Sequence, residues 1–232
     1  MADCVIQIYA FTRPEEAAAA AEMGVQQVGF VAGRYGLVHG ELDFAAARAL
    51  VEALPAGTRS VALTMSTDVD EIVRMAAAVR PDIVHVSTDL YDVDVDGMRR
   101  LRSLLPESVQ LMEAVPVEDE ASVAAAQAFA QVSDLLLLDS KVSGFPGVGA
   151  TGATHDWRLS RRIVESVKIP VILAGGLSAE NVAASIAAVQ PWGVDSNTAT
   201  NVPGDPLVKD MARVAAFVRA VRSAPGGSQD GV

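Results

Sequence analysis

The stretch PVILAGGLSAENV, residues 170–182, carries the strongest structural signal in this chain of 232 residues. An apolar run at 169–173 predicts a strand, which leads into the glycine pair Gly175 and Gly176. Ser178 is placed to cap a helix that follows. Since backbone N–H groups at such a junction point away from the strand, they can bind an anion. The stretch therefore predicts a strand–helix unit with a phosphate-binding turn.

Two neighbouring segments extend this signal. A second glycine motif, GATG, stands at 149–152, and a strand-like run at 193–196 is followed by Asn197, Thr198 and Ala199. Small residues and hydroxyl groups after successive strands are typical of a phosphate site built from several loops.

A short apolar run followed by a longer, alanine-rich segment recurs along the chain. Strands are predicted at 5–9, 27–31, 60–64, 83–86, 109–115, 135–139, 169–173 and 193–196. The first helix is predicted after a T-x-x-E capping box, Thr12 with Glu15, and is expected to end at Gly24. Further helices are predicted at about 43–54, 68–79, 94–105, 119–130, 156–167, 178–189 and 206–223.

Eight strand–helix pairs without a long linker indicate an α/β fold, a single-domain (β/α)₈ TIM barrel over residues 1–223. Residues 224–232, rich in Gly and Ser, are expected to form a flexible C-terminal tail. A doubly wound open sheet is the alternative, although its G-x-G-x-x-G signature is absent after the first strand. In barrels, phosphate sites are common after strands seven and eight, where the glycine pair and residues 197–199 fall.

Composition limits the possible ligands. The net charge of −11 argues against a nucleic-acid or membrane-surface binder, because both reward clusters of Lys and Arg. The single cysteine, Cys4, excludes an intramolecular disulfide, and no Cys and His spacing resembles a zinc site. We expect a cytoplasmic monomer or homodimer that uses no metal or organic cofactor. Its partner is expected to be a small phosphorylated metabolite held mainly by backbone amides.

With these segments placed, the chain to about residue 223 resembles the phosphoribosylanthranilate isomerase family. The matching segments are TRPEEAAAAAEMGVQQVGFV at 12–31, LLLLDSK at 135–141, GATGATHDW at 149–157, PVILAGGLSAENV at 170–182 and PWGVDSNTA at 191–199. The resemblance implies a barrel that rearranges an aminoaldose phosphate to an aminoketose phosphate in tryptophan synthesis. It also implies that the phosphate is bound by Gly149, Thr151, Gly152, Gly175, Gly176, Asn197, Thr198 and Ala199.

The catalytic positions of the family are only partly kept. The family's general base is a cysteine at the end of the first strand, and this chain has Tyr9 there. A tyrosine near its ordinary pKa of about 10 is neutral at pH 7, so Tyr9 is expected to donate protons unless its pKa is lowered. Asp139 matches the family's general acid, and His85 is a candidate replacement base. Asp195, at the end of the eighth strand, is expected to cap or orient the phosphate loop.

At the end of the site that would hold the anthranilate group, the residues of this chain differ from those of the family. Arg34 is the nearest candidate for the family's arginine that faces the anthranilate carboxylate, and His39 is the next. Where the family often carries Lys or Arg around the fifth strand, this chain has Glu113 and Pro116. The phosphate end is therefore kept, while the substrate is expected to differ.

These observations predict a cofactor-independent enzyme that performs acid/base chemistry on a small phosphorylated sugar derivative, an isomerase with an altered substrate. Three alternatives stay open: a lyase or aldolase acting on a related phosphate, a genuine phosphoribosylanthranilate isomerase with Tyr9 in place of cysteine, and a non-catalytic binder of a phosphate metabolite. At the level of residues, Asp139 could instead pair with Lys141, Tyr9 could plug the barrel, and His85 could be a core histidine.

Overall fold

The computed structural model of the protein describes residues 4–140, 148 and 155–225. Within them the strands are β1 (Val5–Ile8), β2 (Gln27–Ala32), β3 (Glu41–Leu42), β4 (Arg59–Thr64), β5 (Ile83–Val86), β6 (Gln110–Pro116), β7 (Leu135–Asp139), β8 (Val171–Leu173) and β9 (Gly193–Ser196). The helices are α1 (Pro14–Glu22), α2 (Phe44–Ala53), α3 (Val69–Val79), α4 (Val95–Leu104), α5 (Ala121–Phe129), α6 (Trp157–Ser166), α7 (Val182–Val189) and α8 (Met211–Arg222), with a short 3₁₀ helix at Thr198–Thr200.

Eight parallel strands close into a barrel in the order β1-β9-β8-β7-β6-β5-β4-β2, and β1 pairs with β2 to complete the ring. This closing pair, with Gln7 opposite Gln27, confirms the (β/α)₈ prediction and excludes the open sheet. The eight predicted strands are all present in the described chain. The two-residue β3 was not predicted, and it pairs with the carboxyl end of β2.

The barrel separates two apolar layers. The larger lies between strands and helices and contains side chains such as Phe30, Leu111 and Phe217. The smaller fills the barrel interior and includes Tyr9 and Met112. Side chains alternate between the two faces of a strand. Every second residue therefore points toward the barrel axis, and the residues between them pack in the outer layer. At the carboxyl ends of the strands some of these inward residues are polar, among them His85, Asp139 and Asp195.

Three predicted helix starts are wrong, those of α1, α7 and α8, of which α8 begins at Met211 rather than at residue 206. The helix α1 begins at Pro14 after Arg13, without a side-chain cap, and the Thr12 hydroxyl instead donates to the carbonyl of Leu207 at 2.9 Å. A partner 195 residues away has thus replaced the predicted local capping box. The second case is α7, which begins at Val182, four residues after the predicted cap.

In place of a helix cap, Ser178 belongs to a turn that precedes α7. Its N–H donates to Oδ1 of Asn181 at 2.8 Å, and Nδ2 of Asn181 donates to the carbonyl of Gly176 at 3.0 Å. Asn181 therefore folds the glycine loop back on itself. At the other end of the chain, Ala224 is buried against the outer layer, and residues 226–232 lie outside the described residues. The boundary of the tail stays a prediction.

Candidate active site

A cavity opens at the carboxyl ends of the barrel strands, where loops following parallel strands converge. Its lining includes six of the polar residues singled out from the sequence and adds several others. The lining residues are Tyr9, Ala10, Val31, Val38, His39, Leu63, Met65, His85, Ser87, Leu137, Asp139, Val148, Asp195 and Asn197. The site therefore combines an apolar wall with a small set of convergent polar groups, as ligand pockets do.

Tyr9 and His85 form a buried pair in this cavity. The Tyr9 hydroxyl and Nδ1 of His85 are 2.7 Å apart, and both residues are at most 5% exposed. Burial raises the pKa of Tyr9 well above its ordinary value, with the nearby Asp195 adding to the effect. Burial also lowers the pKa of His85 to about 3. Both side chains are therefore neutral near pH 7, and Tyr9 is a hydrogen-bond donor rather than a base.

The other ring nitrogen of His85 is available to a ligand. His85 lines the cavity, and its Nε2 atom is buried without a partner among the described residues. A neutral tyrosine has one hydroxyl proton, and Nδ1 of His85 is the partner recorded for it. When Tyr9 donates that proton, the ring carries its own hydrogen on Nε2. The pair then leaves Nε2 as an unsatisfied N–H donor on a residue that lines the cavity.

Two carboxyl groups, Asp139 and Asp195, also line the cavity. Burial raises the pKa of Asp139 to about 6, against two opposing hydrogen bonds from Ser140. Burial, followed by repulsion from Asp139, raises the pKa of Asp195 to about 8. Gln7 donates to Oδ1 of Asp195 at 3.3 Å. Because the groups interact, these pKa values describe the pair, which holds about one proton near neutral pH.

The loop after β2 brings His39 into the cavity lining and leaves Arg34 outside it. The Glu41 carboxylate accepts hydrogen bonds from the N–H groups of Gly36, Leu37 and Val38 at 2.7, 2.8 and 3.1 Å, which folds the loop into a tight turn. Arg34 is largely exposed and pairs with Asp43 at 2.9 Å. Its predicted contact with a substrate carboxylate would require this ion pair to open.

The residues of the predicted phosphate site are only partly described. Gly175 and Gly176 both have positive φ, 85° and 61°, a backbone conformation that favours glycine. Asn197 approaches the first loop, since its Oδ1 atom accepts a hydrogen bond from the N–H of Ala10 at 3.2 Å. Thr198 begins the 3₁₀ helix that also contains Ala199. Gly149, Thr151, Gly152 and also Lys141 lie outside the described residues.

A family model described as N-(5'-phosphoribosyl)anthranilate (PRA) isomerase matches residues 6–220 of the chain. The chain belongs to this family. The isomerase of that name from Haloferax volcanii is 37% identical over 184 residues, which are 79% of this chain and 77% of the relative. The one from Haloarcula marismortui is 31% identical over 223 residues, 96% and 98% of the two chains. These matches confirm the resemblance to phosphoribosylanthranilate isomerases and the prediction that the chain is an isomerase of this type.

Solved structures of the family share the fold. The phosphoribosylanthranilate isomerase of Thermotoga maritima superposes with a TM-score of 0.79 at 24% identity, covering 94% of this chain and 98% of that one. A second isomerase structure, with a TM-score of 0.77 at 22% identity, contains reduced 1-(o-carboxyphenylamino)-1-deoxyribulose 5-phosphate. It covers 94% of this chain and 98% of its own. At these identities the likeness establishes the barrel.

Sequence reasoning did not foresee the interaction of Asp195 with Asp139, and it missed Lys209. Asp195, which was expected to cap or orient the phosphate loop, also lines the cavity with Asp139. Lys209 is buried behind Asn197, and nothing in its local sequence signals this position. Neither could be found from spacing, because each is brought to the site by strands or loops distant in the chain. Among the described residues, no group of His, Cys, Asp or Glu is arranged to hold a metal.

Proposed function

We propose that this phosphoribosylanthranilate isomerase family member isomerises a phosphorylated, N-substituted ribosylamine to the corresponding aminoketose phosphate. The observation that carries the proposal is the carboxyl pair of Asp139 and Asp195, which lines one cavity and holds about one proton between its two groups. An aldose-to-ketose rearrangement needs one group that gives a proton and one that takes a proton. A pair of carboxyls with separated pKa values can supply both.

The working form is the singly protonated pair with its proton on Asp139; because Asp195 has the higher pKa, this is the minor of the two arrangements of the shared proton. Asp139 donates its proton to the ring oxygen as the sugar ring opens, which is the general-acid role predicted from the sequence. Asp195 in its carboxylate form removes the proton from carbon 2 of the sugar. Tyr9 is not assigned the base role of the family cysteine, because burial raises its pKa further from neutrality.

The Tyr9–His85 pair is assigned to substrate recognition. His85 lines the cavity and its Nε2 atom is buried without a partner among the described residues, and we propose that an acceptor on the substrate bonds this atom. The N-substituent of the substrate is therefore expected to carry an oxygen or nitrogen acceptor at that end of the cavity. His39, on the loop held by Glu41, is the second polar group proposed there, and Arg34 joins only if its ion pair opens.

The phosphate group is proposed to bind at the opposite side, on the loops that carry Gly175, Gly176 and Asn197. Thr198, Ala199, Gly149, Thr151 and Gly152 complete the proposed set. The positive φ angles of the glycine pair and the closeness of Asn197 to the first loop support this assignment. The reaction is proposed to need no cofactor, and a cytoplasmic monomer or homodimer stays a prediction. No helix in the described part of the chain is long and apolar enough to cross a membrane.

A second candidate substrate is N-(5'-phosphoribosyl)anthranilate itself. It is favoured by the names of the relatives, which are 31–37% identical to this chain. It is opposed by the replacement of the family cysteine with Tyr9 and by the outward ion pair of Arg34. The first proposal keeps the reaction type and changes the N-substituent.

The test compares turnover of N-(5'-phosphoribosyl)anthranilate with turnover of 5-phosphoribosylamines that carry other N-substituents. Purified protein is used, and the Haloferax volcanii relative is assayed in parallel as the reference. We expect kcat/KM for the anthranilate compound to be at least about 10²-fold below that of the relative, since a lost base contributes on that order. Turnover equal to the relative's would establish the second candidate. Binding of phosphorylated compounds without turnover of any would contradict an isomerase.

A further inference from the structure

Lys209 is one of three lysines in the chain and lies in the segment that leads into α8. It is only 5% exposed, which is rare for a lysine unless its charge has a partner. Among the described residues its ammonium group forms no ion pair and is held by neutral oxygen atoms instead. A buried cation with this environment is costly, so a role beyond packing is indicated.

The ammonium group of Lys209 joins two loops of the active site. It donates to the carbonyl oxygen of Tyr9, after β1, and to Asn197, after β9. For Asn197, both the carbonyl oxygen and Oδ1 lie 3.2 Å from Nζ. Further acceptors are Oγ1 of Thr200 at 3.2 Å and Oδ1 of Asn201 at 2.5 Å. One cation thus fixes the loop that bears Tyr9 against the loop proposed to bind phosphate.

The backbone carbonyl oxygen of Asn197 accepts several hydrogen bonds at once. Besides Lys209, it accepts from the N–H and the hydroxyl of Thr200, at 3.1 and 2.7 Å. Hydrogen bonds in series polarise one another, and a cation on the carbonyl strengthens the donor on the other side of the same peptide. That donor is the N–H of Thr198. The proposed phosphate loop therefore has a positive charge behind it, although none of its own residues is charged.

We propose that Lys209 is a positioning residue that supplies the positive charge of the phosphate site, acting on a bound oxyanion through the peptide between Asn197 and Thr198. The inference rests on the proposed phosphate site and adds the source of its charge. The net charge of −11 favours such a source, because a distributed negative charge opposes the approach of a dianion.

Groups around Lys209 determine how this charge responds to pH. Burial lowers the pKa of Lys209 to about 7, while Asp195 on β9 and Glu16 on α1 oppose the shift. The ring of Phe11 lies 5.6 Å from Nζ and also favours the cation. As pH rises through 7, the cation is lost and oxyanion affinity should fall. Asp195 also gains negative charge in this range, so its contribution must be removed in a test.

The experiment measures sulfate binding by calorimetry between pH 5 and pH 8.5, because replacing Asp195 removes a charge that raises the pKa of Lys209 and so shifts its titration below pH 7. Sulfate stays a dianion over this range, so any pH dependence belongs to the protein. In an Asp195→Asn background, we expect the sulfate Kd to rise about tenfold as Lys209 loses its proton. With Lys209→Met added, binding should be weak and independent of pH. Lys168→Met is the matched control, because Lys168 is exposed, and it should leave binding unchanged.

The outcomes separate this inference from the phosphate site on which it rests. A pH-independent sulfate Kd in the Asp195→Asn protein overturns the role of Lys209, and this result does not require a Lys209 variant to fold. Unchanged affinity in a folded Lys209→Met protein overturns it as well. Gly175→Leu tests the site itself: it should weaken sulfate binding at every pH. If Gly175→Leu has no effect, the phosphate site lies elsewhere.

Discussion

At the scale of single residues, burial sets the chemistry of the cavity. It makes Tyr9 and His85 neutral and brings the carboxyl groups of Asp139 and Asp195 into a pH range where they can exchange protons. On the protein surface, the same four side chains would titrate near the ordinary pKa values of their residue types. The protein has thus lost the family cysteine without losing groups that transfer protons.

Asp139→Asn should lower kcat with the true substrate by about 10² to 10⁴-fold, because the side chain keeps its size and can no longer transfer a proton. Sulfate affinity should change little. Asp92→Asn, at an exposed position, is the control and should be fully active. Activity equal to the original protein would remove Asp139 from the mechanism. Failure to fold would favour a structural role.

The pH profile of kcat/KM provides a second measurement on the same pair. In the original protein the profile should be bell-shaped, with limbs near pH 6 and pH 8. Below the lower limb both carboxyls are protonated and no base is left, and above the upper limb no acid is left. A profile flat between pH 5 and pH 9 would contradict a shared proton.

At the scale of elements, strand β2 and the end of β1 determine how the barrel mouth is filled. Gly29, in the middle of β2, faces the Tyr9 ring so closely that a Cβ atom added there would overlap ring carbons. The aromatic ring therefore occupies space that any other residue at position 29 would take. Tyr9 in turn holds His85 on β5, so three strands share one packing arrangement.

Gly29→Ala should destabilise the protein by about 1–3 kcal/mol, the usual cost of overpacking. The reason is steric, so the cost should disappear in a Tyr9→Cys background and persist in a Tyr9→Phe background, where the ring remains. Denaturant unfolding of the three single and two double variants measures this coupling. Equal costs of Gly29→Ala in both backgrounds would show that the ring is not the cause.

At the scale of the whole molecule, the barrel wall separates the functional interior from the layer under the helices. Glu113 lies on the outer face of β6, the face that also carries Leu111 and Val115. It is completely buried, and neither carboxylate oxygen has a partner among the described residues. Burial raises the pKa of Glu113 well above its ordinary value. Although the family often has a basic residue in this region, Glu113 is placed away from the cavity.

Glu113→Leu should stabilise the protein, and the gain should grow as pH rises above about 4.5. The unfolded chain loses the Glu113 proton there while the folded chain keeps it, so folding stability falls by up to about 1.4 kcal/mol per pH unit in the original protein. Unfolding curves at pH 5, 6 and 7 measure the difference, with the exposed Glu118→Gln as control. Kinetic constants should stay unchanged. A gain independent of pH would assign the effect to packing alone.

The sequence by itself determined the fold, because its signals are local. Alternating apolar runs and alanine-rich segments predict strands and helices from a few neighbouring residues, and a glycine pair after an apolar run marks a turn wherever it stands. Eight such units in one chain are compatible with few architectures, and this predicted the barrel. Local sequence also predicted the family and the position of Asp139 at the end of a strand. The two-residue β3 was missed because no periodicity exists over two residues.

Tertiary structure alone decided which side chains act together. The Tyr9–His85 hydrogen bond joins residues 76 apart, and the contact of Lys209 with Tyr9 joins residues 200 apart. The pKa values of Asp139 and Asp195 depend on burial and mutual repulsion, which exist only after the barrel has closed. Local patterns carry no information on such distances or on local dielectric. The capping box failed for the same reason, since Thr12 found its partner in a loop at the far end of the chain.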